Sequence, residues 1–262
     1  MIDLHDKVVM ITGGSSGIGK AVALQAAAAG ATVVVAARNM AKLAQVRSEA
    51  ARLSGTSAYA YVLDVSDPVA IESTCTQVIE TLGRVDYLLN AAGFGAFEEA
   101  LATDMRTTES MFRTNVLGSM YMCRIIGRDM VKNGGGHIIN IGSMAGKIPT
   151  PKSAVYAATK AAVIAYSDAL RMELRPAGVY VTSVNPGPVK TDFFKTAHAE
   201  DYEQKVDLFA INPDHLARQI VAAFGRPVRE INAPFVMAVA AKVYPLFPHV
   251  GDYLAGTIFN RK

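Results

Sequence analysis

Short runs of apolar, mostly β-branched residues alternate along this chain with longer stretches in which apolar positions recur every three or four residues. The runs are "KVVMI" (7–11), "TVVVA" (32–36), "AYAYVLDV" (58–65), "VDYLLNAAG" (85–93), "HIINIGS" (137–143) and "VYVTSVNPG" (179–187). Within a run the apolar residues follow one another instead of alternating with polar ones. That is the pattern of parallel strands covered on both faces. The helical stretches begin at Gly17 and then cover Met40–Leu53, Pro68–Leu82, Met105–Lys132 and Ser153–Arg175. Strand–helix alternation at this spacing implies right-handed crossovers. It predicts an α/β fold: one doubly wound domain, a mostly parallel sheet with helices on both faces. After Gly187 the pattern weakens, predicting helical excursions over the mouth of the sheet and a short strand near 229–232. No Gly/Ser-rich or Pro-rich linker divides residues 1–262, so the chain reads as one domain with a lid at about 188–212 and a C-terminal extension at about 233–262.

Composition narrows the function classes. The chain has 262 residues, 51% hydrophobic and 19% charged, which is enough for a full core and argues against disorder. Its 26 basic and 23 acidic residues give a net charge of +3, and no basic run of five occurs, so a nucleic-acid partner is not expected. Cys75 and Cys123 lack CxxC spacing and read as reduced core thiols of a cytoplasmic protein. The five histidines have no ligand spacing, so no metal site is expected. The N-terminus reaches a strand within a few residues and lacks the parts of a signal peptide. No run of about 18 uncharged apolar residues is present to span a membrane.

The first strand meets the first helix through "TGGSSGIGKAVA" (12–23). Gly13, Gly17 and Gly19 allow a tight turn, close approach of backbone to a pyrophosphate, and packing of helix on strand. The helix N-terminus then faces the anion with free N–H groups and a partial positive charge. A glycine-rich loop between a strand and a helix is the Rossmann-type arrangement for a dinucleotide. The second strand ends in "AARN". A carboxylate near this point would accept from a ribose 2′-OH. Ala37 offers none, and Arg38 follows it with a guanidinium suited to a 2′-phosphate. NADP(H) is therefore expected in preference to NAD(H), with Ser15, Ser16 and Asn39 adding hydrogen bonds to the phosphate. Asp64-Val65 follows the third strand. Asp64 either accepts from an adenine amino group or caps the next turn or helix.

The later strands should deliver their C-terminal residues beside the nicotinamide. Ser143 ends the fifth run. Tyr156 and Lys160, in "YAATK", share one helical face through their i, i+4 spacing. A phenol has an ordinary pKa of about 10. A neighbouring ammonium favours the phenolate and brings the hydroxyl towards the range where a general acid/base works. Asn115 sits inside a helical stretch, where Asn is a mediocre helix former and needs another reason.

These motifs resemble a short-chain dehydrogenase/reductase, over a region from Lys7 to about Thr191. The family's TGxxxGIG element matches Thr12 to Gly19, including Ile18. Its NNAG element is present as Asn90, Ala91, Ala92 and Gly93, with Ala91 in the second Asn position. Its active-site tetrad matches Asn115, Ser143, Tyr156 and Lys160, and its PG element matches Pro186-Gly187, followed by Val189 and Thr191 along the nicotinamide. The resemblance implies hydride transfer between nicotinamide and a carbonyl or secondary alcohol. Tyr156 then moves the proton, Ser143 bonds the substrate oxygen, Lys160 holds the nicotinamide ribose, and Asn115 positions a water linking Lys160 to solvent. It also implies pairing of subunits through the helices near 105–132 and 153–175, as a homodimer or homotetramer.

The chain departs from the family at its end, "REINAPFVMAVAAKVYPLFPHVGDYLAGTIFNRK". The apolar stretch Ala233–Phe247, interrupted by Lys242 and Pro245, either covers the cleft or a neighbouring subunit, lies on a membrane surface as a peripheral contact, or packs on its own domain. Phe193, Phe194 and Tyr202 in the lid suggest an apolar substrate, although aromatic side chains there also serve packing. Two rival readings are a catalytically silent NADP-binding regulator and a membrane-surface interaction protein.

Overall fold

A computed structural model describes residues 2–193 and 210–259 of the chain. Seven strands form one sheet: β1 (Val8–Thr12), β2 (Thr32–Ala37), β3 (Tyr59–Val62), β4 (Tyr87–Asn90), β5 (Gly136–Ile141), β6 (Val179–Pro186) and β7 (Glu230–Ala233). All pair in parallel in the order β3-β2-β1-β4-β5-β6-β7. The winding direction reverses between β1 and β4, so a crevice opens there beyond the C-terminal strand ends, where ligands bind in such sheets.

The continuous apolar runs have a direct cause. Successive side chains point to opposite faces. In β1, Val9 and Ile11 enter the core under α1 (Gly17–Ala28), α2 (Met40–Ser54) and, after the chain has crossed the sheet, the helix Pro213–Ala223. Val8 and Met10 enter the opposite core, beneath α3 (Pro68–Leu82) and Gly118–Lys132. Each such fully buried side chain stabilises the fold by about 1.5–3 kcal/mol. A charge at Ile11, which is completely buried, would break the first core outright.

Several helices, α2 and α3 among them, start where a short polar residue satisfies free amides. Asn39 Oδ1 accepts from Lys42 N at 3.0 Å to open α2. Asp67, followed by Pro68, caps α3 through Val69 N and Ala70 N.

The stretch Met105–Lys132, read as one helix, divides into α4 (Met105–Met111), a π-helical turn (Phe112–Leu117) and α5 (Gly118–Lys132). Asn115 lies in the π turn, with its side chain bonded out of the helix. Such bulges collect at functional positions. The third strand stops at Val62, short of Val65, because Asp64 folds back into a turn with Ser66. The fourth ends at Asn90 and hands over to a loop. Next come α6 (Ala154–Leu174) and α7 (Pro213–Ala223). The short strand expected near 229–232 is present as β7, one residue later, beside β6. The extension then forms α8 (Phe235–Val243), a short turn (Tyr244–Leu246) and α9 (Pro248–Phe259).

Candidate active site

The glycine loop fits a dinucleotide on the structure's own terms. Gly13 has φ +67°, and a Cβ on it would lie 2.7 Å from Ala92 N and 2.8 Å from the Ala91 carbonyl. A Cβ on Gly19 would run into the Gly13 carbonyl oxygen. Gly17 has φ +53°, and a Cβ on it would meet Thr191 Cγ2 at 3.4 Å, so the loop and the segment after β6 face each other. Ser16 stands at the N-cap of α1 without a side-chain cap bond, and no acid occupies the first turn. The N-terminal amides of a 12-residue helix therefore lack a side-chain acceptor from the cap, which suits a pyrophosphate. Ser15 and Ile18 belong to the same loop and are half-buried.

Arg38 is exposed just past β2. Burial raises the pKa of the Asp64 carboxyl; hydrogen bonds from Ser66 N and Oγ and the nearby Arg38 charge outweigh this and hold it below its ordinary value. Asp64 Oδ1 accepts from Ser66 N at 2.9 Å and from Ser66 Oγ at 2.8 Å in its own turn. Asn39 Oδ1 is likewise committed to the α2 cap. Val65 is buried, and its carbonyl approaches Gly118, where a Cβ would lie 2.6 Å away.

The four tetrad positions converge above the ends of β4 and β5. Lys160 is 5% exposed, and its Nζ donates to Ile141 O at 2.9 Å, two residues before Ser143. Burial pushes its pKa down to about 8. That Nζ lies 5.8 Å from the centroid of the Tyr156 ring. Asn115 Oδ1 accepts from Phe94 N at 3.0 Å, and its Nδ2 donates to Phe94 O at 2.9 Å and Thr159 Oγ1 at 3.0 Å. One side chain therefore locks the β4 loop to α6 beside Lys160. A Cβ on Gly93 would meet Asn115 Oδ1 at 2.9 Å and Lys160 Nζ at 3.6 Å, so only glycine keeps that space open. Ser143 Oγ accepts from Ala145 N at 3.1 Å and donates to Pro186 O at 3.5 Å.

Two of these residues make further bonds that the sequence reading did not include. Asn90, placed with the cofactor, turns its side chain into the core: Nδ2 donates to Asn140 Oδ1 at 2.8 Å and Cys123 Sγ at 3.3 Å. The amide ties β4 to β5. The Asn115 main-chain oxygen accepts from Ser119 Oγ at 3.0 Å. Of the lid at about 188–212, the segments 188–193 and 210–212 are described; Phe194 and Tyr202 lie outside the described residues. Val189 bridges Ile211, which pins the two described ends together. Ala91 sits on the loop with its N–H donating to Thr12 O at 3.2 Å. Pro186 is buried at the end of β6, and Gly187 follows half-buried.

Two features escaped the sequence reading. Phe97 joins Tyr156 and Phe193 in an aromatic group, with centroids 5.3 Å (Phe97–Tyr156), 5.7 Å (Tyr156–Phe193) and 6.3 Å (Phe97–Phe193) apart. Its one sequence signal is an aromatic in the small-residue loop "GFGAF" (93–97). Met237 of α8 reaches back, and a Cβ on Gly187 would lie 2.5 Å from its Sδ.

Comparison with known proteins identifies the family to which this fold belongs. The family model for short chain dehydrogenase matches residues 7–202. "Probable oxidoreductase EphD" of Mycobacterium tuberculosis is 36% identical over 243 residues, covering 86% of this chain. The chain spans 41% of that relative's length. "Dehydrogenase/reductase SDR family member 7B" of Xenopus tropicalis is 35% identical, over 94% of this chain and 84% of its own. L-Sorbose reductase from Gluconobacter frateurii, solved with NADPH and L-sorbose, superposes with a TM-score of 0.82 at 27% identity, over 88% of this chain and 96% of its own. The chain belongs to the short-chain dehydrogenase/reductase family of oxidoreductases.

Proposed function

We propose that the protein is an NADP(H)-dependent carbonyl reductase or secondary-alcohol dehydrogenase in which Tyr156 is the general acid/base. The observation that carries this reading is the convergence of Tyr156, Lys160, Ser143 and Asn115 at the crevice that also holds the uncapped N-terminus of α1.

The residues that would hold the dinucleotide are the backbone of Gly13–Gly19 for the pyrophosphate, and Arg38, with Ser15, Ser16 and the Asn39 amide, for a 2′-phosphate. Asp64, Val65 and the Asn90–Gly93 loop flank the adenosine side. Lys160 and the Pro186–Thr191 segment, with Val189, flank the nicotinamide side. When bound, the cofactor supplies or accepts the hydride. The preference for NADP(H) rests on Arg38 and on the missing carboxylate at Ala37. The sorbose reductase, solved with NADPH, supports the same choice.

The chain's own part is proton handling and positioning. The Tyr156 hydroxyl gives its proton to the substrate carbonyl oxygen as negative charge develops there, and takes it back in the reverse direction. Ser143 Oγ bonds the same oxygen. With a pKa of about 8, Lys160 is mostly protonated at neutral pH, so an ammonium stands beside the phenol when the proton leaves. Asn115 keeps the Gly93-Phe94 backbone clear of that ammonium. Phe97 and Phe193 beside Tyr156 favour an apolar small-molecule carbonyl or alcohol.

The unit is proposed to pair with a second copy through α5 and α6, as a homodimer or homotetramer. Their outer faces frame a groove of about 520 Å³ lined by Tyr121, Arg124, Arg128, Tyr166 and Leu170 among others. A cytoplasmic setting fits the two buried free cysteines. Tyr156→Phe tests the mechanism: NADPH binding should persist while turnover falls by at least about two orders of magnitude. Near-normal turnover would sink it.

A further inference from the structure

The C-terminal extension carries an apolar surface that the domain does not use. In α8, Phe235, Val236, Val239 and Val243 fall within an arc of about 100° at 3.6 residues per turn. All four are exposed, Phe235 to 80%. The same surface continues through Leu246 (72% exposed) and Phe247 in the connecting turn to Val250 and Tyr253 (71%) on α9. The opposite side of α8 is seated on the domain: Met237 lies against Gly187, and the helix packs on the turn Met144–Gly146. No residue of α8 is fully buried, although eight of its nine are apolar. A helix of that composition is ordinarily covered by something.

Charge selects the cover. Lys242 stands seven residues after Phe235 and is exposed at the edge of the same arc. The one acid between Ala233 and Phe259, Asp252, sits about 200° around α9 from Val250 and accepts from the Tyr244 hydroxyl at 2.5 Å. The apolar face thus has a cation at its rim and no acid of its own. A second copy seated symmetrically on this face would bring two such lysines to an apolar contact without a partner, which is unfavourable. Anionic lipid headgroups supply the missing negative charge, and acyl chains cover the Phe, Val and Leu side chains. Aromatic and aliphatic side chains on one side, flanked by lysine, are the composition of a helix lying in a bilayer interface. No helix among the described residues is long and apolar enough to cross a membrane, so the contact is superficial.

We propose that α8 and α9 dock the protein on an anionic lipid bilayer surface. Because α8 leans on Gly187 and on the turn after Ser143, this docking sets the crevice mouth close to the membrane plane. An apolar substrate then reaches the site from lipid. The docking itself does not depend on the catalytic reading, because it is measured without cofactor or substrate.

The experiment is flotation of the full chain with vesicles of phosphatidylcholine alone and of phosphatidylcholine mixed with phosphatidylserine. The wild-type chain should float with the mixed vesicles, less with neutral ones, and less again at high salt. Phe235→Ser combined with Phe247→Ser should weaken flotation by about tenfold or more. Lys242→Glu, which leaves the apolar face intact, should abolish the preference for phosphatidylserine. No flotation with mixed vesicles would overturn the proposal. So would undiminished flotation of the double variant, or an unchanged lipid preference in Lys242→Glu. Wild-type self-association through this face, shown by a smaller particle for the double variant without lipid, would assign the surface to a second copy and overturn it too. If the double variant fails to fold, the Lys242→Glu preference decides alone.

Discussion

Replacing Lys160 by methionine should abolish turnover and make the protein more stable. Lys160 is 5% exposed, and its pKa falls from 10.5 to about 8 because burial disfavours the ammonium. At pH 7 the folded chain still carries that proton. The cost of holding it inside follows from the shift of about 2.5 pK units at 1.36 kcal/mol each, about 3 kcal/mol. Methionine matches the stem in length and removes the charge, but it leaves Ile141 O without the 2.9 Å bond, a loss of about 1 kcal/mol. The net expectation is a gain of about 2 kcal/mol at neutral pH. Its pH dependence has a definite sign. Between about 8 and 10.5 the unfolded chain binds this proton and the folded chain does not, so wild-type stability rises with pH there. The advantage of the variant therefore shrinks across that window and is gone near its upper end. Urea unfolding of cofactor-free wild-type and Lys160→Met proteins, at about pH 7 and about pH 9.5, reads the difference directly. A variant less stable than wild type at neutral pH, or an advantage that does not change with pH, would refute the reasoning.

Other expectations rest on different residues. His137 is fully buried, its Nε2 2.8 Å from Thr182 Oγ1, and burial lowers its pKa from 6.5 to about 4. Between those values the unfolded chain takes up a proton that the folded chain refuses, so stability is lost as pH falls, by up to about 3 kcal/mol. Unfolding followed against pH should show this slope, and His137→Asn should flatten it. Arg38→Ala should weaken NADPH binding much more than NADH binding in a titration; equal losses would make Arg38 an ordinary surface residue. Gly93→Ala should reduce turnover more than it reduces stability, because the added carbon meets Asn115 Oδ1 at 2.9 Å and faces Lys160. Paired kinetics and thermal unfolding separate the two effects.

Much of the architecture was legible because parallel strands covered on both faces need unbroken apolar runs. β1, β2, β5 and β6 stand where the runs stand, and β7 falls one residue from its expected position. The strand limits at Val62 and Asn90 were not legible, because side-chain hydrogen bonds and loop contacts set them, not hydropathy. The π turn at Asn115 is a similar case. A misfit Asn in a helix marked the position, but its bonds to Phe94 and Thr159 join parts of the chain 21 and 44 residues away. The approach of Lys160 Nζ to the Tyr156 ring, 5.8 Å from its centroid, was readable from the local i, i+4 spacing. The bond from Asn90 to Asn140 was not legible, because it depends on the register of two strands far apart in the sequence. The contact of Met237 with Gly187 has no sequence signal, since it depends on how the extension folds back.

The most direct test of the proposed activity is NADPH oxidation, followed by the absorbance of the reduced nicotinamide, against a broad panel of ketones and aldehydes. NADH is run alongside, and Tyr156→Phe serves as the blank. Turnover with NADPH, weaker with NADH and lost in the variant, is the expected result. Turnover that survives in Tyr156→Phe, or that prefers NADH, would contradict it.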